Sequence, residues 1–143
     1  MLFRSDAWET HVAEVAEVSV DRKTGRVRVH EVWCAVDCGV ALQPKNVEAQ
    51  IESGVIFGLS AALKERVIFK GGEVQQSNFH DYPLLRMNEA PRVHVKVMAN
   101  ANAPGGIGEV GLPPIAPAVA NAVAVLTGKR LRQLPLPQDA LKA

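Results

Sequence analysis

The stretch VRVHEVWCAVDCG, residues 27–39, decides the reading of this chain. Val27, Val29, Glu31 and Trp33 share one parity, and Arg28 and His30 the other, the period of a half-buried strand. The strand runs on through Cys34-Ala35-Val36 and stops at Asp37-Cys38-Gly39, where a loop begins. Upstream, Val18 and Val20 close a preceding strand within residues 11–20, and Asp21-Arg22-Lys23-Thr24-Gly25 makes the hairpin turn between the two. Downstream, Pro44 suits a first helical position, because its missing N–H would have no partner there. Ile51, Val55, Gly58 and Ala62 then fall on one helical stripe, which predicts a helix from about Pro44 to Leu63. Gly54 and Gly58 each cost roughly 1 kcal/mol against Ala in a helix interior, so some neighbour needs the backbone close. That neighbour is either a packed strand or helix, or a bulky ligand.

The rest of the chain extends this pattern. Arg66–Lys70, Gly71-Gly72 and Glu73–Gln76 read as a second hairpin. Residues 77–91 have no period and read as a long ordered loop, of the kind that is functional or covers something. Val93, Val95 and Val97 alternate with Arg92, His94 and Lys96 in one more strand. A last helix spans roughly Ile115–Thr127, closed by Gly128, and a Pro-punctuated tail at about 135–143 is extended. The expected architecture is α+β in a single domain over residues 1–143: a largely antiparallel sheet of about five strands with two helices packed on one face.

Composition sets outer limits. The 143 residues carry 16 Lys+Arg against 15 Asp+Glu, interspersed, for a net charge of +1, which argues against nucleic acid as a partner. Apolar residues make up 48%, as in an ordinary soluble domain, and no apolar run reaches the ~18 residues of a membrane span. Val and Ala supply most of the apolar mass, so the core is fine-grained and leans towards strands. Cys34 and Cys38 have no second Cys or His pair at metal-ligand spacing and read as free thiols, so no metal ligand is assigned.

Between the last strand and the last helix, residues 100–114 read NANAPGGIGEVGLPP. Gly106, Gly108 and Gly111 spell G-x-G-x-x-G, but residues intervene between strand and motif, and Pro113-Pro114 delays the helix. The context is wrong for a dinucleotide site, whose glycines follow the strand directly and open the helix. What remains is Glu109 on a glycine-rich loop that a large ligand can approach. It is a candidate general base or an incidental turn residue.

Several motifs in order bear on which. Asp37-Cys38-Gly39 ahead of Gln43-Pro44, Gln50-Ile-Glu-Ser-Gly54, Phe57-Gly58-Leu-Ser-Ala-Ala-Leu63, Gln76-Ser-Asn-Phe-His80-Asp-Tyr82, Leu85-Arg-Met-Asn-Glu89 and Gly106-Ile-Gly108-Glu109 resemble the C-terminal part of the molybdopterin-binding large subunit of the xanthine dehydrogenase/aldehyde oxidase family. Within that family the resemblance is to the large (beta) subunits of the isoquinoline 1-oxidoreductase type, over roughly residues 7–135. The resemblance implies a molybdopterin cofactor, often the cytosine dinucleotide form, and oxidation of N-heterocycles or aldehydes with electrons leaving through iron–sulfur clusters. By position it implies that Glu109 is the catalytic base, that Gln50 and Gly54 lie on the helix against the cofactor, and that Gly106 and Gly108 shape the base loop. Implied partners are the upstream part of the large subunit, a small two-iron–two-sulfur subunit and a small-molecule substrate. Val110 stands where the family often has Pro, Gln43-Pro44 replaces Asn-Pro, and Ser53-Gly54 replaces Gly-Gly. The family's large subunit is several times longer, so this chain alone is expected to be inactive and to bind no cofactor. The alternative is a non-catalytic α+β binding or subunit-docking module derived from the same family.

Overall fold

The structure is a computed structural model that describes residues 1–5, 9–98 and 100–143. Four strands form the main sheet in the order β1 (Leu2–Ser5), β2 (Thr10–Val20), β3 (Val27–Asp37), β6 (Arg92–Val97). The first two pairings are antiparallel, and β6 runs parallel to β3. Two helices, α1 (Pro44–Leu63) and α2 (Ile115–Thr127), pack together and against the same face of the sheet.

The α+β class and both helices match the sequence reading, and the differences have local causes. The second hairpin does form, as β4 (Phe69–Lys70) and β5 (Glu73–Val74), with Gly71 and Gly72 at φ 62° and 85° in the turn. It makes a small sheet of its own and is not a strand pair of the main one, because Phe69 and Val74 are both exposed. The chain returns to the main sheet through a crossover that contains α1, and a crossover delivers a parallel strand where a tight turn delivers an antiparallel one. The N-terminal strand β1 adds an edge that the pattern did not reveal. The tail is not wholly extended: Gln138–Leu141 forms a 3-10 turn, and Leu136 and Leu141 are buried in the core.

Parity along β3 also breaks. Glu17 pairs Glu31 but Val18 pairs Val29, so His30 is an extra residue, a β-bulge. Val27 and Val29 point inward before it, and Val32, Cys34 and Val36 after it. Trp33 is thereby turned to the outer face, where its ring stacks on His94 of β6 with centroids 5.5 Å apart.

The core lies between sheet and helices. From β2 it takes Val12, and from α1 Ile51 and Val55 of the stripe read from sequence, joined by Val47 and Leu59. From α2 it takes Ile115, Val119 and Val123. The long loop 77–91 is ordered by carboxylates: Asp81 accepts from the Ser77 and Asn78 amides, while Glu89 accepts from Lys64, Arg26 and the Arg86 amide.

Candidate functional site

Because β3 and β6 are parallel, the loops that leave them emerge at the same end of the sheet. The two loops are fastened together. Beyond the last ladder pair, the Met98 amide donates to Val36 O at 2.8 Å, the Val40 amide to Asn102 O at 3.0 Å, and the Gly105 amide to Cys38 O at 2.8 Å. The Asp37 carboxylate accepts from the Asn100 side-chain amide and from the Gly39 N–H. Gly39 sits at φ 71°, and a Cβ there would lie 2.1 Å from Ala103 O. Asp37-Cys38-Gly39 is therefore a turn that only glycine can complete, and it seats the segment leading to the base loop.

Helix α1 closes the other side. The Gln50 side-chain amide donates to Gly108 O, and Gly111 lies under Ile51, whose backbone oxygen would stand 3.1 Å from an added Cβ. Gly54 faces Gly111 and Leu112, and Gly58 faces Leu112 and Ile115. The close approach that the two helix glycines demanded is thus made by loop 109–112 and the start of α2. Val110 is buried, a turn from Leu112 N–H to Glu109 O follows it, and the Glu109 side chain is exposed.

Four of the five residues singled out from sequence meet at this loop. Gln50, Gly106, Gly108 and Glu109 are contiguous, whereas Gly54 is buried beneath the loop. Sequence reasoning missed Thr10, whose Oγ1 donates to Gly106 O at 2.7 Å. Its signal was weak: a polar residue sharing the inward parity of Val12 at the start of β2.

Beside the loop lies a groove of about 370 Å³. Gln43, Asn46 and Gln50 are its amide-bearing lining residues, with Gly105 and Gly108 beside them. Among the described residues no charged side chain lines it, and a Cβ on Gly108 would meet nothing within 4 Å. Neutral amides and an open glycine backbone suit a flat, hydrogen-bonding heterocycle, so these residues fit the polar edge of a pterin. They do not suit a metal directly. Among the described residues no three His, Cys, Asp or Glu side chains converge, and Cys34 and Cys38 are buried free thiols. Burial, with the Glu14 carboxylate beside it, pushes the Cys34 thiol up to about 12; burial and Asp37 also raise Cys38.

Comparison with known proteins agrees with this picture. Residues 5–91 match the molybdopterin cofactor-binding domain family. The chain is 50% identical over 126 residues to the beta chain of isoquinoline 1-oxidoreductase from Brevundimonas diminuta, covering 88% of this chain and 16% of that protein. It is 38% identical over 138 residues to one of the subunits of nicotinate dehydrogenase from Pseudomonas putida, covering 96% and 11%. The fold matches quinoline 2-oxidoreductase from Pseudomonas putida 86 with a TM-score of 0.81 at 23% identity, over 88% of this chain and 17% of that one. It matches the aldehyde oxidoreductase from Desulfovibrio desulfuricans with a TM-score of 0.81 at 22% identity, over 92% and 15%. The chain thus spans less than a fifth of the length of these relatives. By sequence and by fold, it belongs to the molybdopterin cofactor-binding domain family, within the xanthine dehydrogenase/aldehyde oxidase group of molybdenum enzymes.

Proposed function

We propose that this segment supplies the general base and part of the cofactor pocket of a molybdenum hydroxylase that oxidises N-heterocycles or aldehydes. The observation that carries the reading is the Gln50 amide holding Gly108 O at the groove, with Glu109 next in sequence and its carboxylate in the open. When bound, the molybdenum centre supplies an activated oxygen nucleophile and takes up the electrons of the oxidation. The chain's own residues do three things. Gln43, Asn46, Gln50 and Gly108 would hold the polar edge of the pterin, of which the cytosine dinucleotide form is the one expected. Val110 and Gly111 lock the far side of the loop into the core. Glu109, with its carboxylate in the open, would take up the proton that this chemistry releases.

The names of the relatives support the substrate classes, since isoquinoline, nicotinate and quinoline are N-heterocycles and aldehydes recur beside them. Their greater length supports a division of labour in which other segments of the large subunit complete the pocket and a two-iron–two-sulfur subunit carries electrons away. On that basis the chain alone is inactive. The test is Glu109→Gln in the complete enzyme carrying this segment. Turnover should fall roughly 10²-fold or more, with KM and molybdenum content nearly unchanged. Near-normal turnover would return Glu109 to an incidental turn and leave the segment as a docking module.

A further inference from the structure

The backbone leading into Glu109 is held by two side chains, one from the sheet and one from the helix. Thr10, the first residue of β2, donates its Oγ1 to Gly106 O at 2.7 Å across a separation of 96 residues. Gln50 of α1 donates to Gly108 O. The two carbonyls alternate, with half-buried Ile107 packed against the core between them. Past Glu109 the chain is held by packing instead, through buried Val110 and through Gly111 beneath Ile51. Immediately before it, at Gly108, packing gives no hold: a Cβ there would meet nothing within 4 Å. A glycine peptide with open space around it is directed mainly by its hydrogen bonds.

Peptide planarity makes those bonds directional. Gly108 O lies in the plane that ends at the Glu109 Cα, and Gly106 O lies in the plane that ends at the Ile107 Cα. Fixing both oxygens therefore narrows the backbone orientations from which the Glu109 side chain can leave the loop. Thr10 is fully buried on the inward face that Val12 also shares, a position that packing alone would give to valine. A hydroxyl buried there is costly unless bonded, and the loop carbonyl is an acceptor for it.

We infer that Thr10 is a positioning residue for Glu109, acting through the Gly106–Ile107 peptide rather than on the substrate. The inference rests on the reading of Glu109 as the base. In the complete enzyme carrying this segment, Thr10→Val removes the hydroxyl at constant shape and Thr10→Ser keeps it. Thr10→Val should lower kcat about 10-fold or more, because small misplacements of reacting groups are costly. KM should change less than about 2-fold, since substrate binding is not what the tether serves. Amide hydrogen exchange at Leu112, whose N–H donates to Glu109 O at 2.9 Å, should quicken about 10-fold, and molybdenum content should stay the same. Thr10→Ser should restore both kcat and exchange. Wild-type kcat and exchange in Thr10→Val overturn the inference. So does a Thr10→Ser enzyme as impaired as Thr10→Val, which would mean that the methyl group matters and the hydroxyl does not. If Thr10→Val does not fold, Thr10→Ala is read in the same way, and failure of both makes Thr10 a structural residue and ends the proposal. Glu109→Gln measured in parallel separates the two levels. Full turnover in Glu109→Gln removes the base and the inference with it, whereas loss of turnover there with an unaffected Thr10→Val enzyme removes the inference alone.

Discussion

Glu14 and Cys34 stand directly opposite each other on β2 and β3, both turned into the core, and Glu14 is 0% exposed. Burial pushes the Glu14 carboxyl up to about 8, against the opposing pull of the Cys34 thiol and the positive chain terminus. A carboxyl held protonated in the fold, but ionised in the unfolded chain, makes stability depend on pH in a direction opposite to the usual one for an acid.

The folded chain binds a proton that the unfolded chain releases between about pH 4.5 and about 8, so stability should fall as pH rises through that window. The loss is on the order of 1–3 kcal/mol once relaxation around the site is allowed for. Glu14→Gln removes the titration and keeps the shape. Its denaturant midpoint should be flat from pH 5 to pH 8 and above wild type at the upper end. A wild-type midpoint that rises over this range would show Glu14 to be ionised and paired.

The helix glycines should separate by the space above them. A Cβ at Gly58 would stand 2.5 Å from Ile115 Cγ2 and 2.9 Å from Leu112 O, so Gly58→Ala should destabilise by roughly 1–3 kcal/mol. At Gly54 the nearest atoms are 3.3 Å away, and the helical preference for Ala, about 1 kcal/mol, offsets the crowding. Gly54→Ala should melt within a few degrees of wild type. Equal Tm losses in the two variants would contradict the packing described for α1 against loop 109–112.

Much of this arrangement was legible in the chain, and what was not has a common cause. Helix α1 was readable because Pro44 opens it and Ile51, Val55 and Ala62 repeat on one stripe, signals that lie within twenty residues. Gln50, Gly106, Gly108 and Glu109 were readable as a motif in order. The parallel partner of β3, the bulge at His30 and the isolation of the second hairpin are choices among distant partners, which an alternating pattern does not encode. Thr10 escaped for the same reason. Its acceptor lies on a loop near the other end of the chain, and nothing beside it in sequence marks the contact.

The turn at Gly39 offers a sharper check. Gly39→Ala places a Cβ on a φ of 71° and 2.1 Å from Ala103 O, a backbone atom that cannot swing away. A loss of roughly 2–4 kcal/mol is expected. Gly71→Ala shares the positive φ, at 62°, but meets nothing within 4 Å, and should cost only about 1 kcal/mol. Unfolding midpoints for the pair isolate the clash from the backbone strain. Equal losses would mean that loop 100–105 yields freely to the turn.

The parallel seam between β3 and β6 has a kinetic consequence. Neither the Asp37-Cys38-Gly39 turn nor the Glu109 loop has its partner nearby in sequence, and the two meet only after α1 and the second hairpin have been traversed and the crossover closed. Closing so large a loop is entropically slow and is rewarded only when the distant strand arrives. The β2–β3 hairpin and the turns of α1 can assemble early from near neighbours, while the groove beside Glu109 waits for the last long-range pairing. A nascent chain halted between α1 and β6 would hold the hairpin and the helix with Gln50 on it, but not the loop that carries Glu109.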